Sequence, residues 1–154
     1  MLVSDELVMK WGRSTLEIFH NPGHTMSTLS IEVPEADLLM AADNVVGNIA
    51  YFAYSTPDMS RHALRRLKRR GRSRLISSHT GVRDSRALDN AIVYLERLKT
   101  NAQAAWQFGV EGESVLQIPI DRCLRPELKA TQYEELYHRR NLEDIVDRRL
   151  FLSA

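Results

Sequence analysis

The stretch His20-Asn-Pro-Gly-His-Thr-Met-Ser-Thr-Leu-Ser-Ile-Glu-Val-Pro-Glu-Ala-Asp-Leu-Leu-Met-Ala-Ala-Asp43 decides how the rest of the chain is read. A polar turn of Asn21, Pro22 and Gly23 delivers His24 at the end of a short apolar strand, Thr15 to Phe19. From Thr28 to Val33 the pattern alternates, with Leu29, Ile31 and Val33 on one face and Thr28, Ser30 and Glu32 on the other. That period of two predicts a half-buried strand. Pro34 to Asp37 is turn chemistry, and Leu38 to Ala42 is a continuous apolar run that closes at Asp43. His24 and Asp43 therefore both stand at strand ends, where rigid scaffolds present reactive side chains.

These residues resemble a known family. His20-Asn-Pro-Gly-His24-Thr, a hairpin, and an apolar strand closing in Ala-Asp43 look like the second half of the metallo-β-lactamase fold. Arg74-Leu-Ile-Ser-Ser-His79-Thr-Gly81 is similar to that family's last strand and terminal histidine loop, so the likeness covers residues 6 to 82. It implies an α/β fold: half of an αββα sandwich, one mixed sheet with covering helices, followed by a helical C-terminal tail. Residues 1–82 would form the half-fold and residues 83–154 a helical extension packed on it.

By the same resemblance, His24 completes a first zinc site, Asp43 bridges two metals as the catalytic carboxylate, and His79 belongs to the second site. Zinc lowers the pKa of water to about 7 and polarises a carbonyl or phosphoryl group. The resemblance thus implies a zinc-dependent hydrolase of esters, lactones, thioesters or phosphodiesters. Family members that bind two metals carry an upstream His-x-His-x-Asp-His loop. This sequence lacks one, and its closest histidines, His20 and His24, are four apart. The expectation is a truncated C-terminal portion, poorly active and poorly loaded with zinc by itself. It would pair with an N-terminal half or another copy through an exposed sheet face, because a lone half-sandwich leaves an apolar face uncovered. The alternative is a non-catalytic interaction module that kept the fold and lost the metal loop.

Composition narrows the class. The chain has 154 residues, 44% hydrophobic and 27% charged, and a formal net charge of +1. These values suit one soluble domain and point to no particular partner. A single cysteine, Cys123, gives neither a disulfide framework nor a Cys-x-x-Cys zinc site. The start, Met1-Leu-Val-Ser-Asp-Glu-Leu-Val, shows no basic leader before an apolar run, and no stretch reaches the about 18 apolar residues of a spanning helix. The expectation is a cytoplasmic protein without a membrane partner.

The remaining elements follow from local chemistry. Glu6 to Trp11 and Thr15 to Phe19 flank Gly12-Arg13-Ser14 as a hairpin. Tyr51, Phe52 and Tyr54 suit a core plug or a cleft wall, and Tyr51 and Tyr54 are the candidate substrate-binding residues. Thr56 and Pro57 predict a helix start and Gly71 its end. Around a stripe of Met59, Ala63, Leu64 and Leu67 that helix is basic, with Arg61, Arg65, Arg66, Lys68, Arg69 and Arg70. A solvated face explains the charges; a phosphate-binding stripe for nucleic acid is the sharper reading. A second helix is expected from Ser85 to Phe108 with a stop at Gly109, and a third from Thr131 to Leu152. His20 reads as a strand-end residue hydrogen-bonded nearby, and His62 and His138 as surface residues.

Overall fold

The computed structural model describes residues 6–52, 54–108 and 112–152. The expected stop at Gly109 and the reading of residues 1–5 lie outside them. Six strands form one mixed sheet in sequential order: β1 (Glu6–Trp11), β2 (Ser14–His20), β3 (Leu29–Val33), β4 (Leu38–Ala42), β5 (Arg74–Ser77) and β6 (Gly81–Asp84). Neighbours pair antiparallel except β4 and β5, which are parallel. The connection between these two carries α1 (Pro57–Arg69), as a parallel pair requires. α2 (Arg86–Trp106), the single-turn α3 (Glu113–Leu116) and α4 (Gln132–Asp147) follow. β6 was not expected from the sequence, and the division foreseen at residues 82 and 83 falls inside it.

The first helix starts with the predicted chemistry. Thr56 caps α1 by accepting from the Met59 amide, with Pro57 in the first turn. Gly71 takes a φ of +70°, which permits the turn into β5. Thr131 and Glu134 form a capping box that starts α4. That helix ends at Asp147 rather than at Leu152, and past its end Arg149 (φ 51°) and Phe151 (φ 63°) turn left-handed.

The helices cover one face of the sheet. Pairing places Phe19 beside Ser30, Glu17 beside Glu32, Glu32 beside Leu39 and Leu39 beside Leu75, so these residues share that face. Phe19, Leu39 and Leu75 pack with Leu64 and Leu67 of α1, and the core continues through Leu88, Tyr94 and Leu98 to Leu142 and Ile145. β3 is therefore oriented opposite to a simple apolar-inward reading. Ser30 and Glu32 are buried beneath the helical layer, while Leu29 is exposed and Ile31 half-buried.

The other face carries Leu7 and Met9 of β1, Leu16 and Ile18 of β2, Leu29 and Ile31 of β3, Leu38 and Met40 of β4, and Ile76 and Val82 beyond. None of these ten is buried. It is an apolar sheet face with no layer on it among the described residues.

The basic helix is corrected in one respect. Arg65 and Arg69 are exposed as expected, but Arg66 and Arg70 are half-buried, with their guanidinium groups 4.9 and 4.3 Å from the Phe19 ring centroid. Arg70 also meets Glu6, Glu17 and Glu32 at 2.9 to 3.1 Å, and Arg72 pairs with Glu32 as well. Glu32 is thus a buried carboxylate neutralised by two arginines, the condition under which such a group is tolerated.

Leu64 and Leu67 are both fully buried against the sheet. Replacing Leu67 with Ala should cost about 2–5 kcal/mol in urea unfolding. A loss below about 0.5 kcal/mol, typical of surface positions, would contradict this register of α1.

Candidate metal centre

β2, β4 and β5 run in the same direction, because β2 and β4 are each antiparallel to β3 and β4 is parallel to β5. Their C-terminal ends therefore lie at one end of the sheet. His24 follows β2, Asp43 follows β4 and His79 follows β5. Topology alone brings the three sequence-predicted residues to that end.

Each is held by identifiable chemistry. The His24 amide donates to Asn44 Oδ1 at 2.7 Å, and Asn44 Nδ2 donates to the Asn21 carbonyl at 3.1 Å. Asn44, fully buried and adjacent to Asp43, thus fastens the His24 turn to the end of β4. Gly23 passes so close to Asn44 and Ala63 that a Cβ would collide with both. His24 Nδ1 lies 3.2 Å from the Tyr51 carbonyl. A carbonyl only accepts, so Nδ1 carries the proton and the neutral ring leaves Nε2 with its lone pair. That is the tautomer a metal-ligating imidazole needs.

Asp43 is aimed by a bulge. The β4–β5 register shifts between Met40 and Ala42, and Ala42 adopts a left-handed φ of 53° immediately before Asp43. Such a conformation costs a non-glycine residue about 1–3 kcal/mol and clusters at functional sites. His79 Nε2 lies 3.2 Å from Asp43 Oδ1, the two side chains being 38% and 35% exposed. That oxygen is buried and accepts no hydrogen bond among the described residues. A buried carboxylate oxygen whose nearest partner is an imidazole nitrogen at 3.2 Å can pair with that ring directly or share a cation with it. The three residues do not close into a complete site. No group of three His, Cys, Asp or Glu side chains close enough to hold a metal occurs among the described residues.

The helical layer contributes residues that local sequence patterns did not mark. Glu134 of α4 is fully buried. It accepts from the Asn48 amide and side chain at 2.7 and 3.0 Å, and from the Thr131 amide and hydroxyl, both at 2.8 Å. Gly47 lies against this carboxylate with no room for a Cβ, and its amide donates to Thr80 Oγ1 at 3.2 Å. The loop after Asp43 is thereby fastened both to α4 and to the His79 loop.

On either side of Glu134, Tyr133 and Tyr137 stack near His79, with centroids at 6.1 and 5.7 Å. Tyr51 stacks on His24 at 4.9 Å, Tyr54 meets it edge-on at 5.7 Å, and Tyr51 touches Tyr137 at 4.7 Å. The two candidate substrate tyrosines thus border His24, while Phe52 between them is fully buried in the core. Burial pushes the phenol pKa of Tyr51 and of Tyr137 up, with the charge of Asp43 adding to the effect on Tyr137. Both hydroxyls keep their protons at neutral pH.

The remaining histidines divide. His62 is exposed, and His20 Nε2 donates to the Met26 carbonyl at 2.6 Å, both as expected. His138 is buried, not at the surface. Its Nε2 donates to the Ile118 carbonyl at 2.8 Å, so its Nδ1 accepts from the Tyr94 hydroxyl at 2.9 Å. Asn141 completes this network by donating to Tyr94 and the Ala50 carbonyl and accepting from the Phe52 amide. The backbone on both sides of Tyr51 is fixed in this way. A cavity of about 700 Å³ lies elsewhere, between the end of α2 and α3, and shares none of the candidate residues.

No protein-family model and no curated protein sequence matches the chain. Solved structures do. A metallo-β-lactamase from Pontibacter korlensis matches 60% of this chain with 46% of its own, at 20% identity and a TM-score of 0.54. An archaeal metallo-β-lactamase superfamily protein from Sulfolobus tokodaii covers 96% of this chain with 50% of its own, at 14% identity and a TM-score of 0.54. The stereoselective inverting sec-alkylsulfatase Pisa1 from a Pseudomonas species covers 99% of this chain with 26% of its own, at 14% identity and a TM-score of 0.64. These likenesses establish the fold: one mixed six-stranded sheet with its helices, matching half of a metallo-β-lactamase-type sandwich. The chain spans less than half the length of the Pontibacter enzyme and a quarter of the alkylsulfatase. No helix among the described residues is long and apolar enough to cross a membrane.

Burial lowers the pKa of His138 from its ordinary 6.5, against the opposing effect of the Ile118 hydrogen bond. The fold therefore favours the neutral ring, and the unfolded chain binds the extra proton as pH falls below 6.5. Stability from this network should be full above that pH and decline below it. NMR titration of His138 checks this: the ring should stay neutral through pH 6.5, and an ordinary or raised pKa would contradict the network.

Proposed function

We propose that this chain carries part of the metal centre of a zinc-dependent hydrolase acting on a small molecule. The supporting observation is the buried, hydrogen-bond-free Oδ1 of Asp43 facing His79 Nε2 at 3.2 Å. His24, with Nδ1 committed to the Tyr51 carbonyl and Nε2 free to ligate, is the third donor. Imidazole nitrogens and a carboxylate oxygen suit zinc. The chemistry such an ion supplies is a water ionised at a pH of about 7 and a polarised ester, lactone, thioester or phosphodiester. The chain's own residues hold and orient. Asn44 ties the His24 turn to the end of β4, the bulge at Ala42 precedes the carboxylate, and Glu134 and Thr80 tie the two loops together.

Catalytic zinc takes about three protein ligands per ion. His24, Asp43 and His79 fall short of that for two ions, so the remaining ligands would come from a second polypeptide layer. Its natural seat is the open apolar sheet face, occupied by an N-terminal half of the same sandwich or by another copy of the chain. A second reading, a non-catalytic interaction module, draws support from the absence of a three-ligand cluster among the described residues. Both readings use the same face.

Elemental analysis together with mass by light scattering, repeated for His24→Ala, separates them. The isolated monomer should hold little zinc, and metal should rise only in an assembled form and fall in the variant. Stoichiometric zinc in a monomer, with hydrolysis abolished by His24→Ala, would contradict the need for a second layer. An assembled form that stays metal-free with zinc supplied would favour the interaction module.

A further inference from the structure

Six rings run continuously past the candidate centre in the order Tyr54, His24, Tyr51, Tyr137, His79 and Tyr133. Successive centroids are 5.7, 4.9, 4.7, 5.7 and 6.1 Å apart. Four separate segments supply them: the His24 turn, the loop after β4, the His79 loop and α4. We propose that this wall recognises a planar aromatic group of the substrate, placing the proposed hydrolase among enzymes for aryl-bearing carbonyl compounds. The inference rests on the hydrolase reading for what happens beside the wall, and on the ring geometry alone for what binds it.

Exposure supports a ligand surface rather than a plug. The inner rings Tyr51 and Tyr137 are half-buried, while the end rings Tyr54 and Tyr133 are 70% and 53% exposed. Exposed large aromatics that flank a site at both ends mark recognition more often than packing. The inner rings are also preorganised. The Ala50 carbonyl and Phe52 amide are held by Asn141, and Glu134 anchors the helical turn that carries Tyr133 and Tyr137. A wall fixed before binding loses little entropy when a flat ligand stacks on it.

The competing chemistries are anionic and cationic. Phosphate recognition calls for forked or clustered cations, and most of those of α1 and its C-terminal turn are engaged within the chain. Arg70 and Arg72 pair with Glu32, Lys68 with Asp89, and Arg65 with Glu96. A cationic ligand could also lie on ring faces. An aromatic ligand uses what the wall offers along its length: rings that meet edge-on at Tyr54 and His24, stacked at His24 and Tyr51 and at His79 and Tyr133, and tilted between them.

The test uses the full chain stripped of metal and carrying ¹³C-labelled tyrosine, followed by NMR. Four probes are titrated: phenylacetamide, its saturated analogue cyclohexylacetamide, inorganic phosphate and tetramethylammonium. Phenylacetamide should shift the Tyr54 and Tyr133 ring signals and bind more tightly than the other three. Tyr54→Ala, at an exposed position that leaves the fold intact, should weaken it about three- to tenfold, and Tyr54→Phe should keep it within about twofold. Equal binding of the saturated analogue, tighter binding of phosphate or tetramethylammonium, or unshifted ring signals would overturn the proposal. The two readings fail separately. A chain that takes up zinc but ignores phenylacetamide loses the wall, and one that binds phenylacetamide but never zinc loses the hydrolase.

Discussion

A buried carboxylate holds the two halves of this structure in register. Glu134 is removed from water at the start of α4, where an unpaired charge would cost several kcal/mol. It is tolerated because four donors meet it, two from Asn48 and two from Thr131. Two of those donors close the cap of α4, and the other two hold the loop that leaves Asp43. One carboxylate thus ties the start of the last helix to the loop that leaves Asp43. Gly47 shows how tight the joint is, since even a methyl group there would strike the carboxylate.

The candidate residues could be picked out because their signals are local and chemical. A Pro-Gly turn before His24, an apolar run stopping at Asp43 and a strand ending before His79 each mark a strand end, and the common direction of β2, β4 and β5 does the rest. What the sequence concealed was the partner of each polar group. Alternation in β3 separates two faces correctly but is silent on which one the helices cover. The covered face carries Phe19, Leu39 and Leu75 as well as Ser30 and Glu32, and Arg70 and Arg72 neutralise the Glu32 buried among them. His138 looked like a surface residue because Tyr94 and Ile118, which justify its burial, lie 44 and 20 positions away. β6 escaped because four residues beginning with glycine and ending with aspartate carry no strand pattern of their own.

Two surfaces remain distinct in chemistry. The helix-facing side of the sheet is closed by ion pairs and aromatic contacts, with Arg66 and Arg70 both over Phe19. The opposite side presents aliphatic residues from every strand with nothing over them among the described residues. Sheets of this kind bury such a face against a second sheet about 10 Å away. The candidate centre stands at one end of the same sheet, where a second layer would also reach it. On the proposed reading, completion of the site and covering of the face would be one event.

The central claim is that His24 and His79 are ligands of one centre, while His20 and His138 hydrogen-bond within the fold and His62 lies exposed on α1. Imidazole nitrogen NMR during zinc titration of the assembled protein tests it most directly. The account predicts that the Nε2 signals of His24 and His79 move together with zinc, while those of His62 and His138 stay in place. Zinc-dependent shifts confined to His62, or no shift at His24 and His79, would contradict it.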